Sequence, residues 1–308
     1  MPGRRYRVVH RTVYEYGATM LDGYSVACAA ARPTSSQRVL SSTVSTDPEA
    51  DERDERLDVF GNRIVQFGLH RPHDGLVVEA LTEAHVWPQE LPRQDPAWER
   101  VASAVSVLRG PLALQVGPYG GPSRFVDVET HRLALFDLVT PSFTPGRPIV
   151  EAVAAFSSAI FETCAFDPSF TEVSTPLDVV IGERRGVCQD FAHLAVGGLR
   201  SLGLAARYVS GYIETDPPPG EPKVVGADAS HAWCSVWIPD HGWLDVDPTN
   251  GVIAPDRHVT VGWGRDYADV APVRGVVIGP ASAQTLSVSV DVARVAVPPD
   301  DPSQQLIA

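Results

Sequence analysis

The chain has 308 residues, 44% of them hydrophobic and 20% charged, which is enough apolar material for a sizeable core and unlike a disordered or disulfide-stapled chain. Its 25 basic against 38 acidic residues leave a net charge of −13 with no Lys/Arg stripe, so nucleic acid is excluded as an expected partner. No run reaches the roughly 18 apolar residues that span a bilayer, and MPGRRYRVVHRTVYEYG lacks the apolar centre of a secretory signal, so the expectation is no membrane contact and a cytoplasmic location.

Residues 6–16, YRVVHRTVYEY, put Tyr6, Val8, His10, Thr12, Tyr14 and Tyr16 on one side, the period-2 pattern of a strand. VLSSTVS at 39–45, RIVQFGLH at 63–70 and LVVEALTEAHVW at 76–87 read the same way, with Phe60-Gly61-Asn62 as a turn. These predict a β-rich, sandwich-like module over residues 1–90, closed by the Pro-rich WPQELPRQDPAW at 87–98. Residues 91–150 are expected to form a helical or irregular connection packed on the core, with a helix at 98–108 and the Gly/Pro-rich VGPYGGPSRF at 116–125. A catalytic core is placed over 151–297. Its first helix is RPIVEAVAAFSSAIFETCAF at 147–166, with Pro148 in the first turn. VCQDFAHLAVGGLRSLGL from 187 is a helix apolar nearly all round, hence internal. Strands follow at 206–213, 231–238, 242–247, 274–279 and 285–297, and 298–308 reads as a disordered tail. The fold class is α+β.

The four cysteines, Cys28, Cys164, Cys188 and Cys234, form no CxxC pair, which removes thioredoxin and four-thiolate zinc motifs. Cys188 stands where Arg184-Arg185-Gly186-Val187 turns into the buried helix. The partial positive charge and free N–H groups of a helix start favour a thiolate and can hold an oxyanion. His231, opening the strand HAWCSVWI, is the candidate base. If that strand pairs with GWLDVD as a hairpin in a register whose positions sum to 478 or 480, Asp247 falls opposite or diagonal to His231 on the same face. Cysteine, histidine and carboxylate then have complementary roles: nucleophile, base, and the group that orients the base.

The runs GVCQDFAHLAVGGLRSLGLAARYVSGY at 186–212, DASHAWCSVWIPDHGWLDVDPTNG at 228–251 and HVTVGWGRDYADVAPVRGVVIG at 258–279 resemble the core of bacterial transglutaminase-like proteins. RYRVVHRTVYEYG and LDVFGNRIVQF resemble the N-terminal region that accompanies it. The resemblance implies a papain-like fold, a Cys-bearing helix packed on an antiparallel sheet bearing His and Asp, with Cys188, His231 and Asp247 as the triad. It implies acyl transfer through a thioester on a peptide or carboxamide substrate, most readily hydrolysis, with protein crosslinking or a noncatalytic binding module as alternatives. No cofactor is implied. A homo-oligomer or a partner protein on the N-terminal β region is kept as an expectation. One departure is the oxyanion hole: animal transglutaminases use a tryptophan upstream of the cysteine, and none lies between Trp98 and Cys188.

Around this triad, Asp190 is expected to bond backbone at the helix start. Tyr208 and Tyr212 either line the cleft or pack within the sheet, and Trp233 shares the face of His231. His193 lies about 140° around the helix from Cys188, and strand alternation turns Cys234 away from His231, so zinc on Cys188, His193, His231 and Cys234 is not expected. Arg265 of GRDY suits a buried ion pair or a substrate carboxylate. Cys28 and Cys164 read as packing thiols, and the Pro-rich loop 214–220 either overhangs the cleft or is solvated.

Overall fold

The computed structural model describes residues 3–215 and 230–296. Six strands open the chain: β1 (Arg4–Met20), β2 (Asp22–Ala30), β3 (Gln37–Asp47), β4 (Glu52–Leu57), β5 (Arg63–Leu69) and β6 (His73–Val86). Two of them escape the alternation rule, for opposite reasons. The second half of β2 is buried on both sides and shows no polar face. β4 is ERDERL, exposed throughout, an edge strand whose charges discourage pairing with other chains. Its turn into β5 is closed by Asp58, whose Oδ1 accepts the Phe60 and Asn62 N–H groups at 2.8 Å each, with Gly61 at φ 75°.

The connecting region is more helical than its Gly/Pro content suggests, with α1 (Trp98–Ser106), α2 (Gly110–Val116) and α3 (Arg132–Val139). Then come α4 (Ile149–Thr163), β7 (Ala165–Phe166), α5 (Leu177–Glu183), β8 (Arg185–Gly186) and α6 (Cys188–Ser201). From Asp190 to Ser201 every residue of α6 is buried. Gly197 and Gly198 allow this: a Cβ would lie 3.0 Å from Leu135 at the first and 2.7 Å from Phe156 at the second, so α3 and α4 close directly onto the backbone.

The central sheet comprises β9 (Ala206–Ile213), β10 (Ser230–Ile238), β11 (Gly242–Asp247), β12 (Val252–Ile253) and β13 (His258–Gly264) in the order β12-β11-β10-β9-β13, antiparallel throughout. Helix α6 lies against it, with Phe191, Leu194 and Leu199 in one cluster with Tyr208, Cys234, Val236 and Leu244. Fully burying such a side chain contributes about 1.5–3 kcal/mol. This is a papain-like α+β core behind a β-rich N-terminal module.

The last two strands do not stay with the central sheet. After α7 (Tyr267–Val270), β14 (Val273–Ile278) and β15 (Gln284–Val295) leave the core and return to the N-terminal module. β14 pairs with β2 (Val273↔Ala27) and β15 with β1 (Arg5↔Val295). The module is therefore two four-stranded sheets, β15-β1-β6-β3 and β14-β2-β5-β4, each with one outer strand from the chain's end. Val44, Phe67, Leu69, Leu76 and Val78 fill the space between them. Val290 and Val292 of β15 join Tyr6, Val8, Tyr212 and Val259 in a cluster that fastens the module to the central sheet. Backbone pairing, not chain position, assigns these last strands. Residues 216–220 of the Pro-rich loop and the tail 298–308 lie outside the described residues, and among the described residues no helix is long and apolar enough to cross a membrane.

Candidate active site

The approach to Cys188 is built by short-range constraints. Arg184 ends α5 in the left-handed region at φ 52°, and β8 then runs parallel to β7 for two residues. Val187 precedes the helix in an extended conformation and has no side-chain oxygen to cap it. Asp190 does so from inside the first turn: its Oδ2 accepts the Val187 N–H at 2.8 Å and the Thr171 hydroxyl at 2.7 Å. A Cβ on Gly186 would fall 2.6 Å from that oxygen, so the position is held by glycine. Burial pushes the Asp190 carboxyl above its ordinary range against the pull of these two bonds. Cys188 is half-buried, with Sγ 4.0 Å from the Ser230 carbonyl oxygen.

β10 and β11 pair as Cys234↔Val246 and Ser235↔Asp245. Extending that register sets Asp247 across from Trp233 and diagonal to His231. The pair closes with His231 Nε2 at 2.8 Å from Asp247 Oδ2. This leaves Nδ1 as the ring nitrogen available to Cys188, whose nearness helps raise the imidazole. Burial disfavours a charged His231, yet Asp247 and Cys188 outweigh it and raise the imidazole from 6.5 to about 10.

Asp247 is fully buried, and five N–H groups converge on it among the described residues. Oδ1 accepts from Thr249 N at 2.9 Å and Asn250 N at 3.2 Å. Oδ2 accepts from His231 Nε2 at 2.8 Å, Asn250 Nδ2 at 2.6 Å and His258 Nε2 at 2.8 Å. Burial alone would raise this carboxyl, but the two imidazoles hold it well below the usual carboxylate range.

Sequence reasoning missed His258. It sits on β13, three strands from β11. At about 4.8 Å per strand a flat sheet would hold the two roughly 14 Å apart, so contact at 2.8 Å requires the sheet to curl strongly at this end. Gly211, between them on β9, permits the curl: a Cβ there would meet the Val259 carbonyl oxygen at 2.1 Å and the Trp233 ring at 2.6 Å. The Trp233 indole packs edge-on against His258 at 5.0 Å and stacks with His231 at 6.0 Å between centroids. Among the described residues His258 Nδ1 has no hydrogen-bond partner.

The remaining candidates fall outside this cluster or only support it. Asp190 is a helix cap, and Trp233 is a buried wall behind both imidazoles. Tyr208 and Tyr212 are both buried. Tyr208 packs against His193 and Tyr267, while Tyr212 meets His10 of the N-terminal module, OH to Nδ1, at 2.8 Å. Arg265 makes an exposed ion pair with Asp269, Nε to Oδ2 at 2.9 Å, in place of a buried one. His193 Nε2 accepts the Tyr267 N–H and Cys234 bonds the Val246 carbonyl oxygen, so neither converges with Cys188 and His231. Burial pushes the Cys28 thiol up to about 12 and raises Cys164 and Cys234 as well. Among the described residues, the acidic and imidazole groups that do converge are His231, Asp247 and His258, with atoms within 4.8 Å of one another. Their facing atoms already bond each other through one carboxylate oxygen.

Residues 139–248 match the transglutaminase-like superfamily core, and residues 6–85 match the bacterial transglutaminase-like N-terminal region. An uncharacterized protein of Mycobacterium tuberculosis is 38% identical over 297 residues, covering 94% of this chain and 92% of that one. A protein-glutamine gamma-glutamyltransferase of Pseudomonas aeruginosa is 40% identical over 81 residues, 26% of this chain and 12% of that protein. A solved structure described as a candidate cysteine protease from Cytophaga hutchinsonii shares the fold, with a TM-score of 0.73 at 20% identity over 97% of this chain and 93% of that one. The chain belongs to the transglutaminase-like superfamily, carrying its core behind a bacterial transglutaminase-like N-terminal region.

Proposed function

We propose that the protein is a cysteine acyl-transfer enzyme that hydrolyses a peptide or carboxamide bond through a thioester. The observation that carries this is the buried His231–Asp247 pair, closed at 2.8 Å, with Cys188 at the start of α6 beside the neighbouring Ser230. The Cys188 sulfur attacks the carbonyl carbon, and the oxyanion forms beside the first N–H groups of α6. His231 passes its proton to the leaving nitrogen as the C–N bond breaks, releasing amine or ammonia and leaving the acyl group on sulfur. Water then gives a proton to His231 and attacks the thioester, which frees the acid and restores the thiol pair. Asp247 holds the ring and offsets its charge in both halves.

A second reading, crosslinking, takes a lysine amine in place of water. It is favoured by the short stretch of identity with the Pseudomonas aeruginosa gamma-glutamyltransferase. A peptide-library assay with and without a primary amine separates the two: cleavage products or free acid without amine incorporation support hydrolysis, and incorporation supports crosslinking. Iodoacetamide labelling at mildly acidic pH tests the shared premise. Cys188 is expected to react far faster than the buried Cys28 and Cys164, and equal rates would leave only a binding module.

A further inference from the structure

On the same sheet, at the end away from His231, lies a cavity of about 700 Å³ between the N-terminal module, α2 and the β10–β11 hairpin. Its walls include Tyr119, Trp243 and Trp263, and its charged lining includes Arg207 and Asp245. Arg207 is only 6% exposed, and its guanidinium carbon lies 3.6 Å from the Trp263 ring centroid and 4.4 Å from that of Trp243. Arg32, anchored to the Phe60 carbonyl oxygen and Asn62, lies 3.3 Å over Trp263. Two guanidinium groups that close to one ring must occupy opposite faces. The layers therefore run Arg32, Trp263, Arg207, Trp243, and both faces of Arg207 are covered.

Only its edge is left. Nε donates to Ser235 Oγ at 3.2 Å. Ser235 in turn donates to Asp245 Oδ1, so the carboxylate stands one residue removed from the guanidinium fork. No protein acceptor among the described residues reaches Nη1 or Nη2. Burial pushes this guanidinium down to about 10, with Asp245 opposing, so it stays charged at neutral pH. A buried, rigidly stacked cation with two open parallel donors matches a planar carboxylate bidentately. The aromatic walls suit a flat apolar body attached to it, and the volume admits a small molecule.

We propose that this cavity binds a small carboxylic acid with a flat, apolar body, its carboxylate on Nη1 and Nη2 of Arg207 and its body along Tyr119 and Trp243. The site uses none of the triad residues and stands whether or not the thiol chemistry above is correct.

The test labels the six tryptophans with 5-fluorotryptophan and follows fluorine resonances, assigned by Trp→Phe variants, during titration with phenylacetate or its neutral isostere phenylacetamide. Phenylacetate is expected to shift Trp243 and Trp263 saturably with a Kd below about 1 mM, leaving Trp87 and Trp98 in place, and the amide to bind at least about tenfold more weakly. Arg207→Lys, which keeps the charge and loses the fork, is expected to weaken phenylacetate by a similar factor. Three results overturn the proposal: acid and amide shifting the two signals equally, no shift up to about 10 mM acid, or a folded Arg207→Lys that binds as the parent does. The acid–amide comparison uses the unaltered protein, so it decides the matter even if the variant does not fold.

Discussion

Two buried carboxylates flank the thiol, one at the start of α6 and one at the end of β11, and their surroundings drive them in opposite directions. Asp190 receives one backbone N–H and one hydroxyl; burial prevails and its carboxyl is pushed up. Asp247 is buried more completely yet is held far below the usual range, because two of its five donors are imidazoles. Neutral hydrogen bonds fix a carboxylate in place, whereas donors that carry or share positive charge keep it ionised in a dry site. The first arrangement makes a helix cap, and the second makes a counter-ion.

The largest expected effect follows from removing the counter-ion. Asp247→Ala leaves a buried His231 without its partner, and kcat/KM should fall about 10⁴-fold with a loss of about 3–5 kcal/mol in unfolding free energy. Asp190→Ala should spare far more activity; equal losses would erase the distinction between cap and counter-ion. His258→Gln keeps a donor near Asp247 but moves it, and should lower kcat about 10²-fold with KM unchanged, as steady-state kinetics would show.

The pH dependence carries opposite signs at the two ends. His231 is raised from 6.5 to about 10, so its stabilisation is complete below pH 6.5 and is lost as pH rises through about 10. Asp247 is depressed from 3.8, so its contribution is present above 3.8 and lost on acidification. Asp190 is raised, and its ionisation costs stability as pH climbs past 3.8. Denaturation midpoints across pH should show an alkaline decline between pH 6.5 and 10 that flattens in Asp247→Asn. The cap is expected to show smaller effects. Gly186→Ala forces a methyl group against Asp190 and should cost about 1–3 kcal/mol. Thr171→Val removes one neutral bond, about 1 kcal/mol, with kcat unaltered.

Much of this site was legible before any coordinates because its parts follow local rules. A helix start announced itself through Gly186 and the apolar run after Cys188. The two-residue period of β10 and β11 narrowed the register to two sums, and the pairing Ser235↔Asp245 realises the larger. His258 obeyed no such rule: it reaches Asp247 only because the sheet curls over Gly211, a property of four strands together. The stack of Arg32, Trp263 and Arg207 joins three segments distant in sequence and left no pattern in any of them. Likewise β4, charged at every residue but Leu57, and the doubly buried end of β2 gave no alternation to read.

The return of β14 and β15 to the first two strands bears on how the chain is made. During synthesis β1 and β2 are translated well before the outer neighbours they pair with. At about 5–20 residues per second, those strand edges wait for tens of seconds while the whole catalytic core is translated. A nascent chain in that interval presents Tyr14, Tyr24 and Val26 beside unpaired backbone, the geometry by which sheets recruit foreign strands. Premature termination anywhere in the core would release a product with both edges open, so a short truncation after Val270 should aggregate through a sandwich whose own first strands are intact.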